Sequence, residues 1–252
     1  EIPLRLVGSE MCIRDRVVTY GIENSACDLT ADLHSDGTFD IVNNGLAAAH
    51  LPVGEKFTAK LSIPGKHNVL NALAAAAVGL LLGETPALIA QGLVSYQASG
   101  MRQNIYEQDG YHIYADCYNA SPDAMEATLS VLGGMAGDGR RFAVLGSMLE
   151  LGDYAEEGHR RAGRAAAQYA YALYAYGPDA AAMVAGAREK GMEHAYAFDD
   201  QTALVAALRE DAKKGDALLF KGSRGMRMER ALAMFLGCLL YTSPSPRDVE
   251  ES

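Results

Sequence analysis

The sequence predicts an α/β protein whose C-terminal half forms a Rossmann-like domain with a mostly parallel sheet. Two features support this prediction. In the second half of the chain, short apolar segments alternate with longer segments of helical periodicity, as expected for strands joined by crossover helices. In the first half, short segments that alternate apolar and polar residues precede an alanine-rich amphipathic segment. That order indicates the end of another α/β domain.

The composition fits a globular protein and argues against several function classes. The chain has 252 residues, of which 49% are hydrophobic and 21% are charged, enough for one large domain or two ordinary ones. A net charge of −10 argues against binding along a nucleic acid backbone, although one arginine can still bind a small anion. No apolar segment approaches the ~20 residues that span a bilayer, and a secretory signal and CxxC pairs are absent. We therefore expect a cytoplasmic protein without membrane insertion.

The two ends of the chain differ in character from the rest. The DNA string TGTCTCTTATACACATCT encodes CLLYTS, which begins at Cys238, and its reverse complement in another frame encodes MCIRD, which begins at Met11. This inverted pair resembles a sequencing adapter of the transposon type, read through at both ends of a DNA fragment. We therefore predict that residues 1–16 and 238–252 are non-native and poorly ordered, and exclude them from fold reasoning.

The first genuine part of the chain, residues 17–101, is predicted to be the C-terminal part of an α/β domain. Three segments, VVTYG, GTFDIVNN and EKFTAKLSIPG, alternate apolar and polar residues between Gly and Asp turns and are predicted strands. A helix follows, with apolar residues at helical spacing. Thr85 as N-cap and Pro86 at the first helical position predict a second helix. The apolar positions of the first helix are Val69, Leu73, Ala77 and Leu80.

Residues 102–237 are predicted to form the Rossmann-like domain, after a hinge at residues 99–103. Asp109 and Gly110 suit the positive φ angles of a tight hairpin turn between NIYEQ and YHIYAD. A helix that begins at Ser121 and Pro122 follows the hairpin. Strands and helices then alternate through RRFAVLG, AEEGHRRAGRAAAQY, YALYAYG, PDAAAMVAGAREKG, HAYAF, DDQTALVAALRED, DALLFKG and RMERALAMFL.

Several familiar catalytic motifs are missing from the sequence. GxxxxGK[ST] does not occur, so the chain lacks a phosphate-binding P-loop of that pattern. The glycine-rich GGMAGDG lacks the strand before it and the helix after it that a nucleotide-binding turn needs, and we interpret it as a loop. No metal-ligand cluster and no Ser/His/Asp set stands out. Nucleotide chemistry would therefore have to rely on other segments.

The first candidate segment is PGKHNVLNALAAAA, in which His67, Asn68 and Asn71 crowd the first turn of a helix. Asn68 and Asn71 are three residues apart, so both side chains are predicted to project from one face. Amides in that position could recognise the edge of a base. The alternative is that Asn68 caps the helix and Asn71 is an ordinary surface residue.

Two further segments place polar side chains at predicted strand ends. In YHIYADCYNASPD, Asp116 and Asn119 lie in a strand-to-helix loop, where ligands of α/β sheets usually bind. A carboxylate there can accept hydrogen bonds from ribose hydroxyls, and an Asx turn with a helix cap is the alternative. In DALLFKGSRGMRMER, the strand ends on Lys221, followed by Ser223 and Arg224. That group could bind an anion or be a solvated basic loop.

Taken together, these segments resemble the Mur ligases in order and spacing over residues 17–237. The GKHNVLNALAAAA helix, the hinge arginine Arg102 and the loop after Asp116 resemble the whole family. DCYNASPDAMEATLSVL, AVLGSMLELG with EEGHRRAG, and KGSRGMRMER look like the branch that adds D-alanyl-D-alanine. Ser147 and Ser121 depart from that branch, in which Asp and Asn are usual.

The resemblance implies an ATP-dependent amide ligase of peptidoglycan precursor synthesis. ATP and Mg²⁺ would phosphorylate the carboxylate of a UDP-N-acetylmuramoyl tripeptide, and D-alanyl-D-alanine would attack the acyl phosphate. The fold would be the end of a P-loop-type central domain followed by the C-terminal domain. The family also implies a monomer, an upstream P-loop and upstream metal ligands, and therefore a chain that is inactive alone. A folate- or cyanophycin-type ligase and a non-catalytic Rossmann-like binding module remain the alternatives.

The resemblance also implies roles for individual residues at a site that forms when two domains close. Residues of the first helix would bind ATP, with the two amides near the adenine, and Asp116 would hold the ribose. Arg102 would reach the phosphates, and Asn119 would face the phosphates or the acyl phosphate. The catalytic set would be Arg102, Asn119 and Lys221; the ATP-binding set His67, Asn68, Asn71, Arg102, Asp116 and Asn119; and the substrate-binding set Lys221, Ser223 and Arg224.

Overall fold

The chain forms two compact units that divide after Gln97. The structure is a computed structural model, and it describes residues 17–96, 100–135 and 139–238. Most of the predicted adapter-like ends, residues 1–16 and 239–252, and residue 99 of the predicted hinge therefore lie outside the described residues.

The first unit combines a four-stranded sheet with two helices. The sheet has the order β1-β2-β3-β4, in which β1 and β2 are parallel and the other neighbours are antiparallel. The sequence patterns indicated three of these strands but not β2, because Leu29, Thr30 and Ala31 are buried in succession and show no alternation. The elements are β1 (Tyr20–Ile22), β2 (Leu29–Leu33), β3 (Thr38–Asn43), β4 (Lys56–Lys60), α1 (Lys66–Leu81) and α2 (Pro86–Ser95).

Helix α1 packs a stripe of small and apolar side chains into the core of this unit. Leu73 and Ala76 are fully buried, and alanines at neighbouring helical positions allow β1 and β2 to approach closely. The predicted start of α2 is confirmed, because the Thr85 side chain accepts a hydrogen bond from the backbone N–H of Leu88 and Pro86 occupies the first turn.

The second unit contains a six-stranded sheet of the order β5-β6-β10-β7-β8-β9. Only β5 and β6 are antiparallel, so the prediction of a mostly parallel sheet is confirmed. The predicted hairpin is also confirmed, with φ angles of 55° at Asp109 and 85° at Gly110. The elements are β5 (Asn104–Gln108), β6 (Tyr111–Asp116), α3 (Pro122–Gly134), β7 (Arg141–Gly146), α4 (Ala155–Tyr169), β8 (Ala172–Tyr176), α5 (Ala180–Glu189), β9 (Ala195–Phe198), α6 (Gln201–Asp211), β10 (Ala217–Lys221) and α7 (Met228–Phe235).

Helices cover both faces of this sheet and form two apolar layers. Side chains of α3, α4 and α5 pack on one face, and side chains of α6 and α7 pack on the other. The last strand, β10, lies between β6 and β7. After their carboxyl ends, β6 leads to α3 on one face of the sheet and β10 leads to α7 on the other face, so the two connections diverge there. In open α/β sheets such a divergence forms the crevice in which ligands bind.

Two glycines allow α4 and α5 to pack with their backbones in contact. A Cβ atom on Gly163 would lie 1.8 Å from the carbonyl oxygen of Met183, and one on Gly186 would lie 2.0 Å from the carbonyl oxygen of Arg160. Both neighbours are backbone atoms, so a side chain at either position would force the helices apart. The small residues are therefore required by the helix contact.

We expect Gly163→Ala to lower the free energy of unfolding by about 2 kcal/mol, because the added methyl overpacks the α4–α5 contact. Urea unfolding of the chain, followed by circular dichroism, measures the change. Gly134→Ala in α3 is the matched control, since nothing lies within 4 Å of its Cβ position and alanine favours a helix. Equal effects of the two substitutions would contradict the packing argument.

Candidate functional site

A buried ion pair joins the carboxyl ends of two neighbouring strands of the second unit. Asp116 ends β6, Lys221 ends β10, and the two residues are direct partners in the parallel register. The Lys221 Nζ lies 2.5 Å from Asp116 Oδ2 and donates a second hydrogen bond, of 2.9 Å, to the carbonyl oxygen of Asn119. Lys221 is only 2% exposed. Its ammonium group is therefore used inside the protein and is not a free cation at the surface.

The second oxygen of Asp116 anchors the segment that enters β5. Its Oδ1 accepts a hydrogen bond of 3.2 Å from the backbone N–H of Gln103, which has a positive φ of 50°. The next residue after the aspartate, Cys117, donates its backbone N–H to the carbonyl oxygen of Met101 at 2.8 Å. The end of β6 thus fixes residues 101–103, which include the predicted phosphate ligand Arg102.

Arg102 and Arg224 lie over the same aromatic ring. The guanidinium carbon of Arg102 is 3.8 Å from the centroid of the Tyr118 ring, and that of Arg224 is 5.3 Å from it. These residues, with Glu229 and Cys117, line a pocket of about 470 Å³. The two arginines are 122 positions apart in the sequence, and the fold brings them to one pocket.

Ser223 and Ser147 connect loops that follow strands of the second sheet. Ser223 Oγ accepts the backbone N–H of Leu149 at 2.9 Å, and Ser147 Oγ accepts the backbone N–H of Asp179 at 3.0 Å. Both serines are buried. Ser223, a predicted substrate ligand, therefore uses its hydroxyl oxygen to connect the loops that follow β10 and β7. Ser147, which departs from the Mur ligase pattern, connects the loops that follow β7 and β8.

A fully buried histidine supports the loop after β7, a role that the sequence analysis missed. His159 Nδ1 lies 2.6 Å from the carbonyl oxygen of Ala155, and His159 Nε2 lies 2.8 Å from the backbone N–H of Met148. The first contact requires a proton on Nδ1 and the second requires a lone pair on Nε2, so the imidazole is neutral in this arrangement. The EEGHRRAG segment contained the signal, because the histidine lies on the alanine- and glycine-rich side of an otherwise charged helix.

Cys117 is a buried cysteine at the pocket. Burial raises the pKa of its thiol to about 12, and the Sγ atom lies 3.3 Å from the carbonyl oxygen of Phe220. A thiol with such a high pKa stays protonated at neutral pH and donates that hydrogen bond. It therefore lines the pocket as a small apolar group.

The predicted adenine-binding residues lie at the start of α1 in the first unit. Asn68 is 3% exposed and its side chain donates a 2.7 Å hydrogen bond to the carbonyl oxygen of Pro64. Asn71 is exposed. The two amides, which are predicted to project from one face, therefore differ in exposure, and Asn71 is the one of the pair that is open to solvent. The alternative, that Asn68 caps α1, is wrong, since the N-cap residue is Gly65 without a side-chain cap. His67 is half-buried beside them.

The structure thus brings five of the nine predicted site residues to one edge of the second sheet. These are Arg102, Asp116, Asn119, Lys221 and Arg224. Ser223 is buried in the loop after β10, and the three residues of α1 lie in the other unit. Tyr118 is the residue that the sequence analysis missed at this edge. Within the described residues, no group of three or more His, Cys, Asp or Glu side chains could hold a metal ion. Nor is any helix of this part long and apolar enough to cross a membrane.

Comparison with protein families gives two adjacent matches. Residues 8–79 match the Mur ligase middle domain, and residues 101–224 match the Mur ligase glutamate ligase domain. The first match begins inside the predicted adapter-like segment, and the non-native origin of that segment stays a prediction. The two matches follow each other in the order that the sequence motifs indicated.

Individual relatives agree with these matches. The chain is 36% identical over 200 residues to the UDP-N-acetylmuramoyl-tripeptide–D-alanyl-D-alanine ligase of Bacillus subtilis, covering 78% of the chain and 44% of that enzyme. A crystal structure of MurF from Acinetobacter baumannii superposes with a TM-score of 0.72 at 28% identity, covering 87% of the chain and 46% of that structure. MurF ligase from Thermotoga maritima, solved in complex with ADP, gives 0.69 at 28% identity, with coverages of 87% and 48%.

The chain therefore spans less than half the length of the relatives that it matches. Within that span, the family matches, the identity to relatives and the fold of both units agree. The chain belongs to the Mur ligase family and contains a middle-domain segment followed by a C-terminal domain of that family.

Proposed function

We propose that this chain is part of an ATP-dependent ligase that joins D-alanyl-D-alanine to a UDP-N-acetylmuramoyl tripeptide in the cytoplasm. One observation carries the proposal. The segments that resemble the D-alanyl-D-alanine-adding branch, namely the loops after β6, β7 and β10, lie together at one edge of the second sheet. The identity to relatives that bear that enzyme's name supports the same substrate class.

The chemistry of such a ligase explains why cations are needed at this edge. A carboxylate is a poor electrophile, and transfer of the terminal phosphoryl group of ATP converts it into an acyl phosphate with a good leaving group. The amine of the dipeptide then attacks the carbonyl carbon, and the tetrahedral intermediate collapses to the amide and inorganic phosphate. Negative charge accumulates on phosphoryl and carbonyl oxygens, which positioned guanidinium groups stabilise.

The geometry supports different kinds of role for the predicted residues. Asp116 lies at the carboxyl end of a strand, and each of its oxygens retains a lone pair, so it can accept hydrogen bonds from ribose hydroxyls. Arg102 and Arg224 line the open pocket and would bind phosphoryl or carboxylate oxygens. Lys221 and Ser223 would act as positioning residues, since their polar atoms are buried against protein groups.

Asn71 and Asn119 are the exposed amides among the residues predicted to bind ATP. Asn119 is exposed, with its carbonyl oxygen held by Lys221, so its amide nitrogen could face phosphoryl oxygens. Asn71 is the exposed amide of α1 and would meet the adenine, whereas Asn68 would support the turn before the helix. As the family resemblance implies, the Mg²⁺ that shields the phosphates would be held by upstream residues of the enzyme.

We predict that the purified chain has no ligase activity and that a chimera has it. In the chimera, residues 17–237 replace the matching segment of the Bacillus subtilis relative, which supplies its own P-loop region. The measurement is phosphate release that depends on ATP, UDP-N-acetylmuramoyl tripeptide and D-alanyl-D-alanine together. Amide formation by the chain alone would refute the first half of the prediction. A folded chimera without any activity would count against the second half.

Exchanging the amine substrate of the chimera separates the proposed function from its alternatives. Replacing D-alanyl-D-alanine with glutamate should abolish turnover. The turnover of a folate- or cyanophycin-type ligase would not depend on D-alanyl-D-alanine in this way. A binding module that contributes no chemistry would leave turnover unchanged when residues of the site are substituted. The arginine and aspartate variants described below therefore test this second alternative as well.

A further inference from the structure

We propose that Tyr118 is a positioning residue whose ring holds Arg102 and Arg224 in one pocket, where the two guanidinium groups bind a phosphate-bearing group. Tyr118 lies in the loop after β6, and 40% of its surface is exposed. No sequence motif assigned it a role. Its contact with two guanidinium groups at the carboxyl edge of the sheet is the basis of the proposal.

The contacts of the two arginines leave their hydrogen-bonding groups available. A guanidinium group that stacks on an aromatic ring keeps its N–H groups in its own plane, free to donate to an anion. Within the described parts of the chain, the guanidinium groups of Arg102 and Arg224 make no ion pair and no hydrogen bond. By contrast, Arg160, Arg161 and Arg164 on α4 are each paired with carboxylates. The pocket therefore holds two oriented cations whose N–H groups are unused by the fold.

The backbone around the ring keeps this arrangement in place. The N–H of Cys117 and the carbonyl oxygen of Met101 form a 2.8 Å hydrogen bond, which joins the two segments that carry Tyr118 and Arg102. The segment of Arg224 is held from the other side, because the side chain of Gln201 donates a 2.8 Å hydrogen bond to the carbonyl oxygen of Met226. The backbone segments that line the pocket are thus held by β6, β10 and α6. The Tyr118 ring then orients the two guanidinium groups at the ends of their side chains.

The shape and charge of the pocket favour a tetrahedral oxyanion with more than one negative charge. Two guanidinium groups on one ring can donate to several oxygens of a phosphoryl group, and the volume of about 470 Å³ accommodates a nucleotide phosphate chain. Glu229 is the one carboxylate among the lining residues. It opposes anion binding and keeps the affinity for small anions moderate.

Titration of the purified chain with pyrophosphate at low ionic strength tests the proposal by calorimetry. We expect Tyr118→Leu to weaken binding about 10-fold, in line with two cation–π contacts, and Tyr118→Phe to keep the affinity within about twofold. Glu229→Gln should tighten binding several-fold, because it removes the one carboxylate among the lining residues, and this tests whether the anion occupies the pocket. Equal affinity of the wild type and Tyr118→Leu would overturn the proposal, and so would the absence of any effect of Glu229→Gln if the leucine variant fails to fold.

Kinetics of the chimera identify which phosphate is bound, an assignment that rests on the proposed function. A higher KM for ATP at constant kcat in Tyr118→Leu indicates the phosphates of the bound nucleotide. A lower kcat at constant KM indicates the phosphoryl group in transfer. Unchanged kinetics in an active chimera would overturn the inference. Binding of pyrophosphate by the chain does not require ligase activity, so an inactive chimera would count against the proposed function alone.

Discussion

Replacing Asp116 with alanine is expected to lower kcat/KM of the chimeric ligase by about 10²-fold or more, because the proposed ribose ligand and the anchor of residues 101–103 are lost together. The carboxylate contacts the end of strand β10 through Lys221 and the hinge-proximal segment through the backbone of Gln103. Its loss would remove the proposed ribose ligand and release the backbone of Arg102 at the same time. Both effects act on ATP binding, so KM for ATP should rise as kcat falls.

Asp199→Ala provides the matched control for this substitution. Asp199 is an exposed carboxylate in the turn that follows β9, away from the carboxyl ends of β6 and β10. Its loss changes the net charge by the same amount and should leave kcat/KM within about twofold, as for an ordinary surface position. If Asp116→Ala were as active as this control, the proposal that the carboxyl edge of the second sheet binds the nucleotide would be wrong. A non-catalytic binding module would then describe the chain better.

Lys221→Met is expected to lower the free energy of unfolding by about 3–5 kcal/mol, because it leaves the carboxylate of Asp116 buried without its partner. Lys221 is 2% exposed and Asp116 is 7% exposed, so water cannot replace the lost ammonium group. The substitution also removes the donor to the carbonyl oxygen of Asn119. Urea unfolding of the chain measures the effect, with the transition of the second unit followed separately from the first.

The double variant Asp116→Leu/Lys221→Met separates stability from function. Removing both charges leaves no unpaired ion in the core, and replacing a buried ion pair with apolar groups is often neutral for stability. We therefore expect the double variant to recover most of the lost free energy while its chimera stays inactive. A double variant as unstable as Lys221→Met would indicate that packing, rather than charge, dominates at this position. Recovery of activity with stability would show that the pair is only structural.

The local features of this protein could be predicted from its sequence for a simple reason. The Asp109-Gly110 turn, the Thr85-Pro86 helix start and the alternation of strands and helices depend on residues within a few positions of each other. The order of motifs sufficed for the family, since several separate segments agreed. Strand β2 was missed because its consecutive burial comes from contacts with β1, β3 and α1, which local alternation cannot show.

The structure of the site could be predicted only in part. The sequence placed Asp116, Lys221 and Arg224 at strand ends, where ligands of α/β sheets bind, and the structure keeps all three there. It could not show that the aspartate and the lysine pair with each other, because β10 inserts between β6 and β7 from more than a hundred residues away. The same pairing changes the interpretation of Lys221 from a free cation to a positioning residue.

The sequence by itself therefore determined the fold class and the family, and it indicated the segments that are candidates for the site. Only the tertiary structure decided which polar groups are open to a ligand and which form hydrogen bonds within the protein. Arg102 and Arg224 stay available because an aromatic ring supports them without using their N–H groups, whereas Lys221, Ser223 and Asn68 satisfy buried partners. The physical reason is that burying a polar group without a partner is costly. Which groups are buried together depends on strand order, and strand order is a property of the whole chain.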